Sequence, residues 1–105
     1  MKEIIDHIRK FRDDRNWSQF HTGANLAKSL SIEANEVLQL FQWQEECSDN
    51  EGLKDEVADV MIYALLLCEK YGMDPKEIIT RKIDKNEKKY PIEKSFGKSD
   101  KYNKL

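Results

Sequence analysis

Glycine and proline are scarce in this chain, four and two among 105 residues, and no stretch alternates apolar with polar positions. That removes the punctuation a sheet of short strands needs and predicts an all-helical fold. Cysteine is equally sparse. Cys47 and Cys68 form no CxxC pair and no even framework, which argues for two reduced thiols, Cys68 in a core and Cys47 in a turn. Long hydrophobic runs are missing: the longest, Val60 to Cys68, falls far short of a bilayer span. Asp6 stands where a secretory leader would be apolar, so the expectation is a soluble cytoplasmic protein with no membrane attachment. Nor is there an excess of charge. With 18 basic and 20 acidic residues and a net charge of −2, the chain carries no footprint for a nucleic-acid polymer. So short a chain buries little surface alone, which invites a second subunit.

What is present is helical periodicity. A first helix is expected from about Lys2 to Arg15, with Ile4, Ile5, Ile8 and Phe11 on one face. An aromatic connector follows, Asn16 to Gly23. The second helix should run from about Ala24 to Trp43, with Leu26, Ala27, Leu30, Ala34, Val37, Leu38 and Phe41 recurring at threes and fours. Ser48, three residues before Glu51, forms a capping-box pattern for a third helix that ends at Gly72. Asp74-Pro75-Lys76-Glu77 is the clearest helix start in the chain, and Pro91 closes the fourth helix at about Tyr90. Residues 1–91 are thus expected to form the domain, a bundle of four to five helices about a central antiparallel hairpin. Residues 92–105 are expected to form a polar, Lys-rich tail.

Two pairs of acids interrupt these apolar runs: Glu33 with Glu36, and Glu56 with Asp59. On a helix the i,i+3 spacing puts each pair about 60° apart on one face. The pairs are symmetric about position 46, so a hairpin turning there brings Glu33 level with Asp59 and Glu36 level with Glu56. Four carboxylates at one height repel one another unless a cation sits among them. An all-oxygen set without His or Cys suits Mg²⁺, or Mn²⁺, better than zinc. The rival reading, a solvated face of surface ion pairs, loses force because the acids lie among apolar residues. A di-iron bundle needs Glu-x-x-His, and neither His7 nor His21 follows a Glu by three.

Other residues point to a phosphate ester carrying a planar base. Lys82, Lys85 and Asn86 form an i, i+3, i+4 stripe on the fourth helix that can grip a polyphosphate. From spacing alone a solvated basic face explains them equally well. Trp17, Trp43 and Tyr63 can sandwich a base, and His21 can hydrogen-bond a sugar or phosphate, although aromatics at helical spacing are more often core.

The order Glu33-x-x-Glu36, nineteen residues, Glu56-x-x-Asp59 resembles the signature of the MazG-like, all-α nucleoside triphosphate pyrophosphohydrolases. Arg15 to His21, Leu40 to Trp43, Asp59 to Tyr63, and Lys82 to Asn86 through Pro91 resemble the dCTP pyrophosphatase branch in particular, so the likeness covers about residues 4–97. One departure stands out: Ile8, next to His7, occupies a position where this branch often carries a polar residue. The resemblance implies a homodimer or homotetramer whose partner chains complete the bundle. It implies Mg²⁺-dependent cleavage between the α and β phosphates, giving a nucleoside monophosphate and pyrophosphate. Glu33, Glu36, Glu56 and Asp59 match the metal and catalytic positions, and Trp17, Trp43 and Tyr63 match the base and sugar pocket. Lys82, Lys85 and Asn86 match the triphosphate block. A dCTP-like or modified pyrimidine nucleotide and a role in cleaning the nucleotide pool are the substrate and purpose that follow. The alternatives are a non-catalytic nucleotide sensor and a dimeric module that binds a protein partner.

Overall fold

The computed structural model describes residues 1–99. Five α-helices occur among them and no strand: α1 (Lys2–Asp14), α2 (Gly23–Gln39), α3 (Asn50–Lys70), α4 (Pro75–Lys89) and α5 (Ile92–Ser95). They fall into two compact units, Met1–Gly72 and Met73 onward.

In the first unit, α2 and α3 form a hairpin joined by residues 40–49, and α1 packs on α3. Thr22 caps α2, its hydroxyl accepting from the Asn25 N–H at 3.1 Å. The cap of α3 is Asp49, which accepts from the Gly52 N–H at 2.9 Å. The capping-box reading therefore misses by one residue: Ser48 lies outside the helix, and the carboxylate beside it takes the role. Helix α2 also stops at Gln39 rather than Trp43, the chain passing into turns from Leu40. Gly72 ends α3 as expected, with φ of +64°.

The end of α1 shapes the connector. Asn16 takes a left-handed conformation, φ +54°. The Asn16 N–H donates to the Asp13 carbonyl (3.0 Å) and the Trp17 N–H to the Arg12 carbonyl (3.1 Å). This is a Schellman motif with Asn in place of the usual Gly, and Asn is the side chain that tolerates that conformation best. The accompanying hydrophobic contact is Trp17 against Phe11, edge to face with centroids 5.7 Å apart. The Arg15 guanidinium lies 3.7 Å over the Phe11 ring. A single 3₁₀ turn, Ser18–Phe20, then leads to α2. Asn16→Ala should cost about 1 kcal/mol of stability, while Asn16→Gly should be nearly neutral; denaturant melts of the two variants check this.

The core is small. Leu26 (1% exposed), Leu66 (6%) and Cys68 (8%) are the buried hydrophobic residues among those described. Both thiols are free, Cys68 buried and Cys47 half-buried in the turn. Several apolar positions expected inside are exposed, among them Ile4 and Phe11 of α1 and Leu38 of α2, with Met61 of α3 beside them. Arg9 and Arg12 fasten α1 to α3 through Glu69, Arg12 Nη1 standing 2.7 Å from Glu69 Oε2.

In the second unit, Asp74 caps α4 through the Lys76 N–H at 3.1 Å, with Pro75 at the first helical position. Pro91 ends α4 and opens α5, so the start of the expected tail is a helical turn. Residues 100–105 of that tail lie outside the described residues. No described helix is long and apolar enough to cross a membrane.

Candidate metal centre and base cavity

The hairpin brings the acid pairs together. One carboxylate oxygen each of Glu33, Glu56 and Asp59 lie within 4.8 Å of one another. Glu36 stands outside this tight triad yet within its field. Burial and then the neighbouring charges of Asp59 and Glu36 push the Glu33 carboxyl above the usual glutamate range. Burial pushes Glu56 up as well, followed by the charge of Glu36 and then those of Asp59 and Glu33. The leading charge on Glu33 is Asp59, and on Glu56 it is Glu36. These are the partners an antiparallel hairpin symmetric about position 46 requires. Three converging carboxylates with no nitrogen or sulfur donor among them fit a hard divalent cation.

Beside Asp59 opens a cavity of about 340 Å³ between α1, the connector and α3. Its walls are Ile8, Phe11, Trp17, Ile62 and Leu66; Tyr63 and the polar residues His7, Arg12, His21 and Asp59 complete it. Trp17, His21 and Tyr63, expected at a base site, therefore meet a carboxylate of the triad in one cavity. Trp43 does not: it lies in the α2–α3 connection, 89% exposed. Lys82, Lys85 and Asn86 are exposed on α4, in the second unit.

His21 is held below the usual imidazole range, first by burial and then by the positive charge of Arg12. Its Nδ1 is buried without a hydrogen-bond partner. A neutral His21 offers a hydrogen bond to a ligand but no charge to a phosphate.

Phe11, Arg12, Ile62 and Leu66 also line the cavity and were not singled out from the sequence. A signal for them exists. Ile5, Ile8 and Arg12 follow one another at three and four residues, which puts a cation on the apolar face of α1. Asp59, Ile62, Leu66 and Glu69 do the same on α3, running from an acid of the triad through two apolar residues to a second acid.

The MazG-like family model matches residues 28–105. The chain belongs to the MazG-like family. Mouse dCTP pyrophosphatase 1 is 31% identical over 96% of this chain and 67% of its own length. The human dCTP pyrophosphatase 1 is 30% identical over the same shares. A solved pyrophosphatase from Archaeoglobus fulgidus is 45% identical, with a TM-score of 0.79 over 87% of this chain and 92% of that one. This MazG-like chain thus stands among the nucleoside triphosphate pyrophosphatases, a class of hydrolases.

Proposed function

We propose that the protein hydrolyses a nucleoside triphosphate, with a dCTP-like or modified pyrimidine deoxynucleotide preferred, to the monophosphate and pyrophosphate, and that it cleans the nucleotide pool of the cytoplasm. The observation that carries this reading is the continuity of the carboxylate triad with an aromatic cavity through one residue, Asp59. Phosphates belong at the triad and the base beyond it, between Trp17 and Tyr63.

Glu33, Glu56 and Asp59, with Glu36 nearby, would hold Mg²⁺, or Mn²⁺ in its place. When bound, such a cation neutralises phosphate oxygens and acidifies a coordinated water. Trp17 and Tyr63 hold the base by stacking, and apolar walls keep water from it. We assign Glu36, outside the tight triad, as the acceptor of the attacking water's proton as the bond between the α and β phosphates breaks. Lys82, Lys85 and Asn86 of a neighbouring copy would form the stripe that meets the departing pyrophosphate. The domain is taken as residues 1–91, assembled as a homodimer or homotetramer. The many exposed apolar side chains support that assembly.

The test is incubation with Mg²⁺ and a panel of canonical and modified triphosphates, resolving monophosphate, pyrophosphate and free phosphate. Monophosphate with pyrophosphate is expected. No turnover with Mg²⁺ or Mn²⁺ would put the partner-binding module ahead, and thermal stabilisation by nucleotide without turnover would favour the sensor. Glu36→Gln is expected to lower kcat about a hundredfold while Mg²⁺ binding persists; near-normal turnover removes the proton-accepting role.

A further inference from the structure

We propose that Arg12 recognises the base, its free Nη2 donating a hydrogen bond to the O2 carbonyl of a pyrimidine, with Glu69 and Asp13 fixing the guanidinium. The inference rests on the nucleotide reading above and specifies which atom of the base is read.

The Arg12 side chain is 12% exposed and lines the cavity. Two of its three guanidinium nitrogens are engaged. Nε donates to Asp13 Oδ1 at 2.8 Å and Nη1 to Glu69 Oε2 at 2.7 Å. Nη2 has no protein partner among the described residues. A planar fork held at two corners is a fixed donor at the third, so no rotamer freedom is lost when a ligand arrives. The cavity that Arg12 lines has mostly apolar walls, where a donor left unmade is costly and one satisfied by a ligand contributes strongly.

Charge decides what that ligand group is. Glu69 and Asp13 already balance Arg9 and Arg12, Arg9 Nε standing 3.3 Å from Glu69 Oε1. A phosphate would bring uncompensated negative charge next to Glu69, whereas a carbonyl brings none. Position agrees with charge. Glu69 follows Asp59 by ten residues on α3, about 15 Å along the helix axis at 1.5 Å per residue. The cation end and the Arg12 end of the cavity are therefore separated in the order in which a nucleotide strings its phosphates, sugar and base. O2 is the carbonyl common to all natural pyrimidines, so a donor aimed there admits the class rather than one member.

The experiment pairs a substrate change with a residue change. Binding of dCTP and 2-thio-dCTP is measured by calorimetry with Ca²⁺ in place of Mg²⁺, for the full chain and for Arg12→Met and Arg12→Lys. Turnover is measured separately with Mg²⁺. Sulfur is a poor acceptor, so the thio substitution should weaken binding to the unaltered protein about tenfold. It should make no difference in either variant. Arg12→Lys keeps an ion pair with Glu69 but has no third nitrogen, and Glu69 retains Arg9 in both variants. An equal thio penalty in all three proteins overturns the proposal and leaves Arg12 a clamp between α1 and α3, as does failure of the unaltered protein to bind either nucleotide. Coupled binding without turnover keeps the base contact and sinks the pyrophosphatase reading instead.

Discussion

Glu56→Gln is expected to abolish Mg²⁺-dependent pyrophosphate release, by on the order of a thousandfold in kcat/KM, and to weaken Mg²⁺ binding in parallel. Glu56 belongs to the triad whose oxygens converge within 4.8 Å, and it feels the charge of all three other acids. The amide replaces one carboxylate oxygen with an NH2 group and removes the negative charge at nearly constant volume, so shape is not the variable. Asp59→Asn should act alike, with an added rise in nucleotide KM because Asp59 also borders the base cavity. Turnover of Glu56→Gln within tenfold of the unaltered protein, measured by pyrophosphate release at saturating Mg²⁺, would dismiss the metal centre placed here.

The same substitution should stabilise the metal-free protein. Glu33 and Glu56 are raised above the ordinary glutamate value by burial and by one another's neighbours. A carboxyl raised on folding binds its proton more tightly in the native state than in the unfolded chain. Its favourable contribution is full below the unfolded pKa and is lost as pH climbs through the folded one. Metal-free protein is therefore destabilised at this cluster at neutral pH relative to mildly acidic pH. Added Mg²⁺ should raise Tm at neutral pH and much less at acidic pH, by mass action on the folded form. In Glu56→Gln the metal-free Tm at pH 7 should rise and its response to Mg²⁺ should shrink. A thermal-shift series in pH and Mg²⁺ reads both effects, and a fall in the metal-free Tm of Glu56→Gln would show that the cluster is not repulsive.

The register of the hairpin was legible because it rests on arithmetic that burial cannot change: paired acids at helical spacing, symmetric about one turn, leave a single antiparallel alignment. Trp17, His21 and Tyr63 were legible as candidate contacts to a base and sugar from their residue types, and the family resemblance matched Trp17 and Tyr63 to that pocket. What placed them in one cavity is the left-handed Asn16, which turns Trp17 back onto Phe11, and periodicity does not encode that turn. Asp49 displaced Ser48 as the cap of α3 because both side chains suit the role and only the backbone path chooses between them. Arg12 was readable in principle as a cation on the apolar face of α1. It went unread because its meaning depends on Glu69, 57 residues away along the chain. Leu38 and Met61 show the limit of the hydrophobic pattern itself. Apolar spacing identifies a face to be covered but not whether the same chain covers it.

Trp43→Asp should separate the proposed assembly into monomers of 12.4 kDa, read by analytical ultracentrifugation at micromolar concentration. Trp43 stands 89% exposed in the turn of the hairpin, and Leu38 on the preceding helix is 65% exposed. Only three hydrophobic residues among those described are buried, Leu26, Leu66 and Cys68, and so much exposed apolar surface supports the proposed partner. Burying one Trp removes roughly 150–250 Å² from water, about 4–6 kcal/mol at 25 cal/mol per Å² before the costs of association. In a two-fold interface that contribution arises twice. The substitution lies on the surface of a single chain, so the helical circular dichroism of the monomer should survive it. Activity should fall with dissociation and recover in part at high protein concentration, because a neighbouring copy is proposed to complete the site. An unaltered protein that sediments as a monomer while turning over nucleotide would refute the assembly and confine the active site to one chain.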